Sequence, residues 1–265
     1  MNSADPISHL HSNFNYILCA AGRNSAPDKL EQCEQYTRCL TGLAHPLGNL
    51  VLAREQTEEQ FRSLLAETEE WVAVNGAPVA MALFPDMGLA DRATWIDERD
   101  WVLMDKMPGM WMDIPEDFSV GELAPGASVR LANDPEGLDQ VCRVLTEGYP
   151  LDPEVTDFFM RGIHEAGEAN QGDLANFLVT LDGQPAACSS VCIRDGVAGV
   201  YCVATVESCR RKGLGGAVTR AAVEYAHRRG IRHALLHATE MGMPVYSKIG
   251  FRELCRIPVY GCGLG

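Results

Sequence analysis

Between Val197 and Arg229 the spacing of apolar positions changes period within a few residues. A β-branched run ends at Val206 and a short polar turn follows. Leu214, Ala217, Val218, Ala221, Ala222 and Tyr225 then recur at three- and four-residue steps, as the buried face of a helix requires. Arg220, Glu224 and Arg228 fall on the opposite side, and Gly230 is placed to end the helix in the left-handed conformation. The pattern predicts a strand, a turn and an amphipathic helix.

Ahead of this unit, Ser128 to Leu131 reads as a strand, and Asp134-Pro135 opens a helix with Leu138, Val141, Cys142 and Leu145 on one face. Pro153 to Ala166 reads as a second helix. Asn176 to Leu181, Ala186 to Ile193 and the strand from Val197 are separated by Asp182-Gly183 and Asp195-Gly196, which predicts an antiparallel meander. A strand from His233 to His237 follows the organising helix. In the first half the expected elements are a helix from Pro27 to Leu43, a strand from Asn49 to Ala53, and a helix from Glu58 opened by a Thr57/Gln60 capping box. Trp71 to Val74 and Pro78 to Phe84 read as strands around an Asn75-Gly76 turn.

Chemistry enters at the start of the organising helix. Gly213, Gly215 and Gly216 have no side chains to hold a ligand away, so the N–H groups of the first turn can meet an anion directly. Arg210, Arg211 and Lys212 add formal charge to the positive end of the helix dipole. A diphosphate suits this place. A Walker loop is excluded because Gly216-Ala217 stands where Lys-Ser or Lys-Thr is needed, and a dinucleotide fingerprint is weakened by Val218 at its third glycine position.

The pattern R-x-x-G-x-G, Arg210 to Gly215, resembles the acyl-CoA signature of the GNAT superfamily of N-acyltransferases. The likeness continues through Met241 to Leu254, MGMPVYSKIGFREL, and spans roughly half of the chain, Ser128 to Val259. It implies a mixed α/β fold, a twisted and mostly antiparallel sheet flanked by helices, with coenzyme A entering where two strands splay. It also implies that acetyl-CoA is the acyl donor. The main chain of Val203, Ala204 and Thr205 is then expected to hold the pantetheine arm, and Arg210, Arg211, Lys212, Gly213, Leu214, Gly215 and Gly216 the diphosphate. Tyr246 occupies the place of a tyrosine that many members carry near the sulfur, where a phenol can protonate the departing thiolate. One departure is Thr239, where many members have asparagine and only part of a pantetheine contact can be kept. For the base that deprotonates an amine, spacing does not choose among Glu240, Tyr201 and Cys202.

Composition narrows the partners. A net charge of −14 offers no cation excess to displace counterions from nucleic acid and suits a cationic acceptor, a small-molecule or peptide amine. No apolar run reaches the length of a membrane span, and the opening MNSADPISHLHSNFNY lacks the features of a signal peptide, so no membrane and a cytoplasmic location are expected. The ten cysteines are scattered with no C-x-x-C pair, and His237, on a strand, has no second ligand at metal spacing. No metal is expected. His227 and His233 flank the helix end, where a cation meets the dipole's negative pole.

An internal echo bears on organisation. Trp101 to Met110, WVLMDKMPGM, resembles Phe251 to Tyr260, FRELCRIPVY, each with an aromatic and a proline seven residues on. The echo divides the chain into residues 1–114, a degenerate GNAT-like domain, a connector at 115–127 rich in proline, glycine and acids, and the acyltransferase domain at 128–265. Two other readings of the same residues stay open: a protein that binds acyl-CoA without turnover, and a nucleotide-binding dehydrogenase-like domain.

Overall fold

The structure, a computed structural model, describes residues 5–87, 90–149, 151–169 and 173–264; Met1 to Ala4 of the opening segment lie outside them. In chain order the elements are α1 (Pro6–Ser25), β1 (Leu30–Gln32), β2 (Tyr36–Leu40), β3 (Asn49–Ala53), α2 (Glu58–Asn75), β4 (Val79–Ala82), α3 (Ala90–Asp97) and β5 (Val102–Asp113). After a connector come β6 (Ala127–Leu131), α4 (Pro135–Gly148), α5 (Pro153–Ala169), β7 (Leu174–Leu181), β8 (Gln184–Arg194), β9 (Val197–Thr205), α6 (Leu214–His227), β10 (His233–His237), α7 (Met243–Ile249) and β11 (Arg252–Cys262).

All the strands join one open sheet in the order β1-β2-β3-β4-β11-β5-β10-β9-β8-β7-β6. Among the described residues only β3/β4 and β9/β10 pair in parallel, each across a helix, α2 and α6. The fold is thus mixed α/β with a mostly antiparallel sheet, as expected. The meander turns have the required backbone: Asp182 and Gly183 sit at φ 49° and 77°, Asp195 and Gly196 at 50° and 78°.

The run β3-α2-β4-α3-β5 repeats the order and strand senses of β9-α6-β10-α7-β11. Each half sends its last strand into the other, so that β5 pairs with β10 and β11 pairs with β4, while β5 and β11 pair with one another. Met107 lies opposite Ile257, flanked symmetrically by Lys106 opposite Pro258 and Pro108 opposite Arg256. The two echoing stretches are therefore neighbours, related by a local two-fold axis through that central pair.

Two readings are corrected, and one helix was not anticipated. No helix spans Pro27 to Leu43; a 3-10 turn leads into β1 and β2, whose cross-strand partners supply the contacts that a helix would have lacked. Trp71 to Val74 form the last turn of α2, and Gly76, at φ 64°, caps that helix rather than turning a hairpin. The helix α1 escapes the pattern because a polar residue, Asn13, lies on its buried side at 2% exposure and receives the Tyr201 hydroxyl at 2.8 Å.

The sheet separates two apolar layers. Ala234 and Leu236 of β10 pack with α6, and Leu235 between them packs in the core that contains Leu10 and Leu18 of α1. Helix α1 lies against α5 so closely that a Cβ on Gly162 would stand 2.6 Å from the Ala21 carbonyl oxygen. Gly162→Ala is expected to destabilise the chain by about 1–3 kcal/mol in urea unfolding, the cost of overpacking a rigid contact.

Candidate active site

Strand β9 pairs with β10 only from Val197 to Val200; beyond Leu236 the latter follows β5 instead, with the Ala238 N–H on the Pro108 carbonyl. The two strands splay, and residues 201–205 of β9 face no strand on that edge. A bulge sharpens the divergence. Between Tyr201 and Ala204 the strand carries one residue more than β8 opposite, and Cys202 takes a positive φ of 51°.

Gly213 starts α6 at φ 80° and no side chain caps it, so the first N–H groups of the helix have no partner of their own. An added Cβ would meet only the Thr205 hydroxyl (3.2 Å) at Gly215 and only a Val245 methyl (3.7 Å) at Gly216. These glycines floor an open cradle. Leu214 is buried and anchors the turn, Arg211 holds a left-handed φ of 63°, and Arg211 and Lys212 are exposed without an ion pair among the described residues. Strain of this kind in a basic loop is characteristic of functional turns.

Arg210 is used differently from its basic neighbours. Its Nε donates to the Thr205 carbonyl at 3.3 Å and its Nη2 to the Gly148 carbonyl at 2.8 Å, so the guanidinium ties the end of α4 to the β9–α6 turn. Next to it, Tyr149 donates its hydroxyl to the Val203 carbonyl at 3.1 Å. The sequence reading missed Tyr149; the Gly148-Tyr149 pair at the end of α4 was the available signal. Ala204 between these carbonyls is buried.

Helix α7 closes the other side. Val245 reaches Gly216, and the next residue, Tyr246, is 7% exposed with its ring edge-on to Phe251. Gly242 makes room for that ring: a Cβ there would lie 2.8 Å from it. The Tyr246 hydroxyl makes no hydrogen bond among the described residues. Burial, and after it the neighbouring Tyr149, pushes the phenol well above its ordinary range, so it holds its proton. Thr239 shapes the turn into α7, its hydroxyl accepting from the Gly242 N–H at 3.1 Å.

The three residues considered as a base are engaged or protonated. Glu240 is paired with Arg256. The buried Tyr201 phenol is pushed up and donates to Asn13, and burial raises the Cys202 thiol to about 12. His227 bonds the Glu116 carbonyl at 3.0 Å and His233 bonds Asp113 at 2.9 Å. Among the described residues no group of three or more His, Cys, Asp or Glu is placed to hold a metal ion, and no helix is long and apolar enough to cross a membrane.

His237, at the end of β10, has both ring nitrogens sealed from solvent among Phe14, Phe84 and Tyr201, with the Leu10 main chain as its one polar neighbour besides His11 among the described residues. Burial first and the nearby His11 second push it down to about 3. The unfolded chain takes up this proton below roughly pH 6.5 and the folded chain does not until about pH 3, so stability is retained above 6.5 and lost as pH falls through that window. His237→Leu is expected to reduce the stability difference between neutral pH and pH 5, in urea unfolding, by about 2 kcal/mol.

The splay of β9 from β10, the uncapped glycine cradle and the flanking Tyr246 lie together at one end of α6. Residues 138–251 match the model of the acetyltransferase (GNAT) family. Among solved structures it is similar to a GCN5-related N-acetyltransferase from Kribbella flavida, at 18% identity and TM-score 0.70 over 95% of this chain and 94% of that one. It is also similar to a tandem GNAT protein from the clavulanic acid biosynthesis pathway, at 13% identity and TM-score 0.64 over 100% and 96%. A third is a GCN5-related N-acetyltransferase from Sphaerobacter thermophilus, at 13% identity and TM-score 0.63 over 94% and 91%. At these identities the likeness is one of fold. No curated protein matches the chain.

Proposed function

We propose that the chain transfers an acetyl group from acetyl-CoA to a primary amine by direct attack within a ternary complex. The observation that carries this reading is the uncapped, glycine-floored start of α6 opening onto the β9/β10 splay beside Tyr246. In it the α6 N–H groups, with Arg211 and Lys212, hold the diphosphate, and the free edge of β9 near Val203 to Thr205 receives the pantetheine amides and the developing oxyanion. Tyr149 must yield the Val203 carbonyl if that group is used. Tyr246 gives its proton to the departing sulfur. The burial that keeps the phenol protonated also raises the proton affinity of a thiolate beside it, which keeps the transfer feasible.

The acceptor is a small-molecule or peptide amine in this reading, in keeping with the acidic chain. Release of free thiol from acetyl-CoA, followed with a thiol-reactive chromophore across a panel of primary amines, tests it. Coenzyme A binding with no amine-dependent thiol release would favour the non-catalytic reading instead. The dehydrogenase-like alternative loses support because a dinucleotide fold needs a run of parallel strands, and here only two pairs are parallel.

We also infer that residues 1–114 are a degenerate copy of the domain at 128–265, joined through 115–127, and have lost the coenzyme site. Support comes from the repeated element order and from α2, whose N-terminus is closed by the Thr57/Gln60 capping box with Glu58 and Glu59 in its first turn. No glycine cradle remains there for a phosphate.

A further inference from the structure

The edge of β9 that the splay uncovers is not bare. Val203 and Thr205 lie two apart on the strand and turn their peptide groups the same way, while Ala204 between them stands opposite Cys188 of β8. Both of their carbonyls already have donors. The Tyr149 hydroxyl donates to the Val203 oxygen at 3.1 Å, and Arg210 Nε donates to the Thr205 oxygen at 3.3 Å.

The end of α4 is pressed onto the same stretch. A Cβ on Gly148 would stand 2.9 Å from the Ala204 methyl and 3.2 and 3.3 Å from the Thr205 nitrogen and oxygen, so the absence of a side chain lets this main chain lie directly against β9. Arg210 Nη2 fastens the contact through the Gly148 carbonyl at 2.8 Å. Tyr149 is half-buried beside Cys202, and its phenol lies near enough to Tyr246 to add to the burial that raises that group. A ligand arm that carries amides needs an acceptor for each N–H it takes out of water, and here the acceptors of the strand edge are in use.

We propose that Tyr149 sets how tightly the acyl carrier is held: in the free protein its hydroxyl takes the place of a pantetheine amide on the Val203 carbonyl, and the carrier must displace it to lie along β9. This role rests on the acetyl-transfer reading. One hydrogen bond is then exchanged for another instead of being gained, which lowers affinity for any ligand with the arm. A nucleotide that lacks the arm reaches the α6 cradle without disturbing Tyr149.

Calorimetric titration of the parent and of Tyr149→Phe with coenzyme A, and with adenosine 3′-phosphate 5′-diphosphate as its armless counterpart, tests the role. The substitution keeps the ring and removes only the competing donor. Coenzyme A is expected to bind Tyr149→Phe about fivefold more tightly than the parent, the worth of one hydrogen bond that no longer has to be broken, and the armless nucleotide to bind both proteins within about twofold. Coenzyme A binding that is unchanged or weaker in the variant, or a tightening shared equally by the armless nucleotide, would overturn the role of Tyr149 alone. Coenzyme A that binds neither protein would overturn the acetyl-transfer reading and this role with it.

Discussion

Tyr246→Phe is expected to lower kcat for amine acetylation by about 10²–10⁴-fold, the usual worth of a positioned general acid, while the Kd for coenzyme A stays within about twofold. The structure makes this a clean substitution. The hydroxyl is engaged in no hydrogen bond among the described residues, and the ring keeps its contact with Phe251 and its place above Gly242. Thermal stability should be unchanged or slightly higher, because a buried phenol without a hydrogen-bond partner among the described residues is exchanged for an apolar edge. A tyrosine that only packs would show no loss of kcat. Saturating-donor kinetics together with a melting curve separate these outcomes.

The second large effect concerns the cradle. Gly215→Val is expected to weaken coenzyme A by about a hundredfold, because a side chain over the start of α6 blocks roughly two charge-assisted hydrogen bonds, about 3 kcal/mol in all. The Cβ it adds approaches only the Thr205 hydroxyl, at 3.2 Å, which has to give by a few tenths of an ångström, and Gly215 has an ordinary negative φ in the first turn of α6. Gly213 makes the contrast. At φ 80° it stands where a side chain is strained by about 1–2 kcal/mol, so Gly213→Val should lower stability as well as affinity. Calorimetry and chemical unfolding on both variants distinguish blocked access from a damaged turn.

Local rules made parts of both halves legible. The Asp-Gly turns, the capping box, and the change of period at Val206 each depend on a few consecutive residues, and the β7–β9 meander, α2 and α6 follow from them. What depended on distant partners was less visible. Tyr36 to Leu40 satisfies a strand only because β1 and β3 flank it, and Asn13 breaks the apolar stripe of α1 for the sake of a bond to Tyr201. At Asn75-Gly76 one left-handed glycine serves equally a hairpin and a helix cap, and the preceding α2 decides between them.

The same division runs through the site. The uncapped, glycine-floored start of α6 with its exposed Arg211 and Lys212 was readable from consecutive residues, and the place of Tyr246 from the resemblance in the last helix. Arg210 was grouped with the phosphate cations, whereas two of its nitrogens hold main-chain carbonyls; only the fold brings Gly148 and Thr205 within its reach. The exchange of β5 and β11 was equally hidden, although the echo between Trp101 and Phe251 marked the strands involved.

Amide hydrogen exchange with and without coenzyme A bears most directly on the cradle. Saturation with coenzyme A is expected to slow exchange at Lys212 to Gly216 by at least about tenfold and to leave the first turn of α2, Glu58 to Phe61, unchanged. Coenzyme A that fails to bind, or that binds without protecting Lys212 to Gly216, would contradict the account.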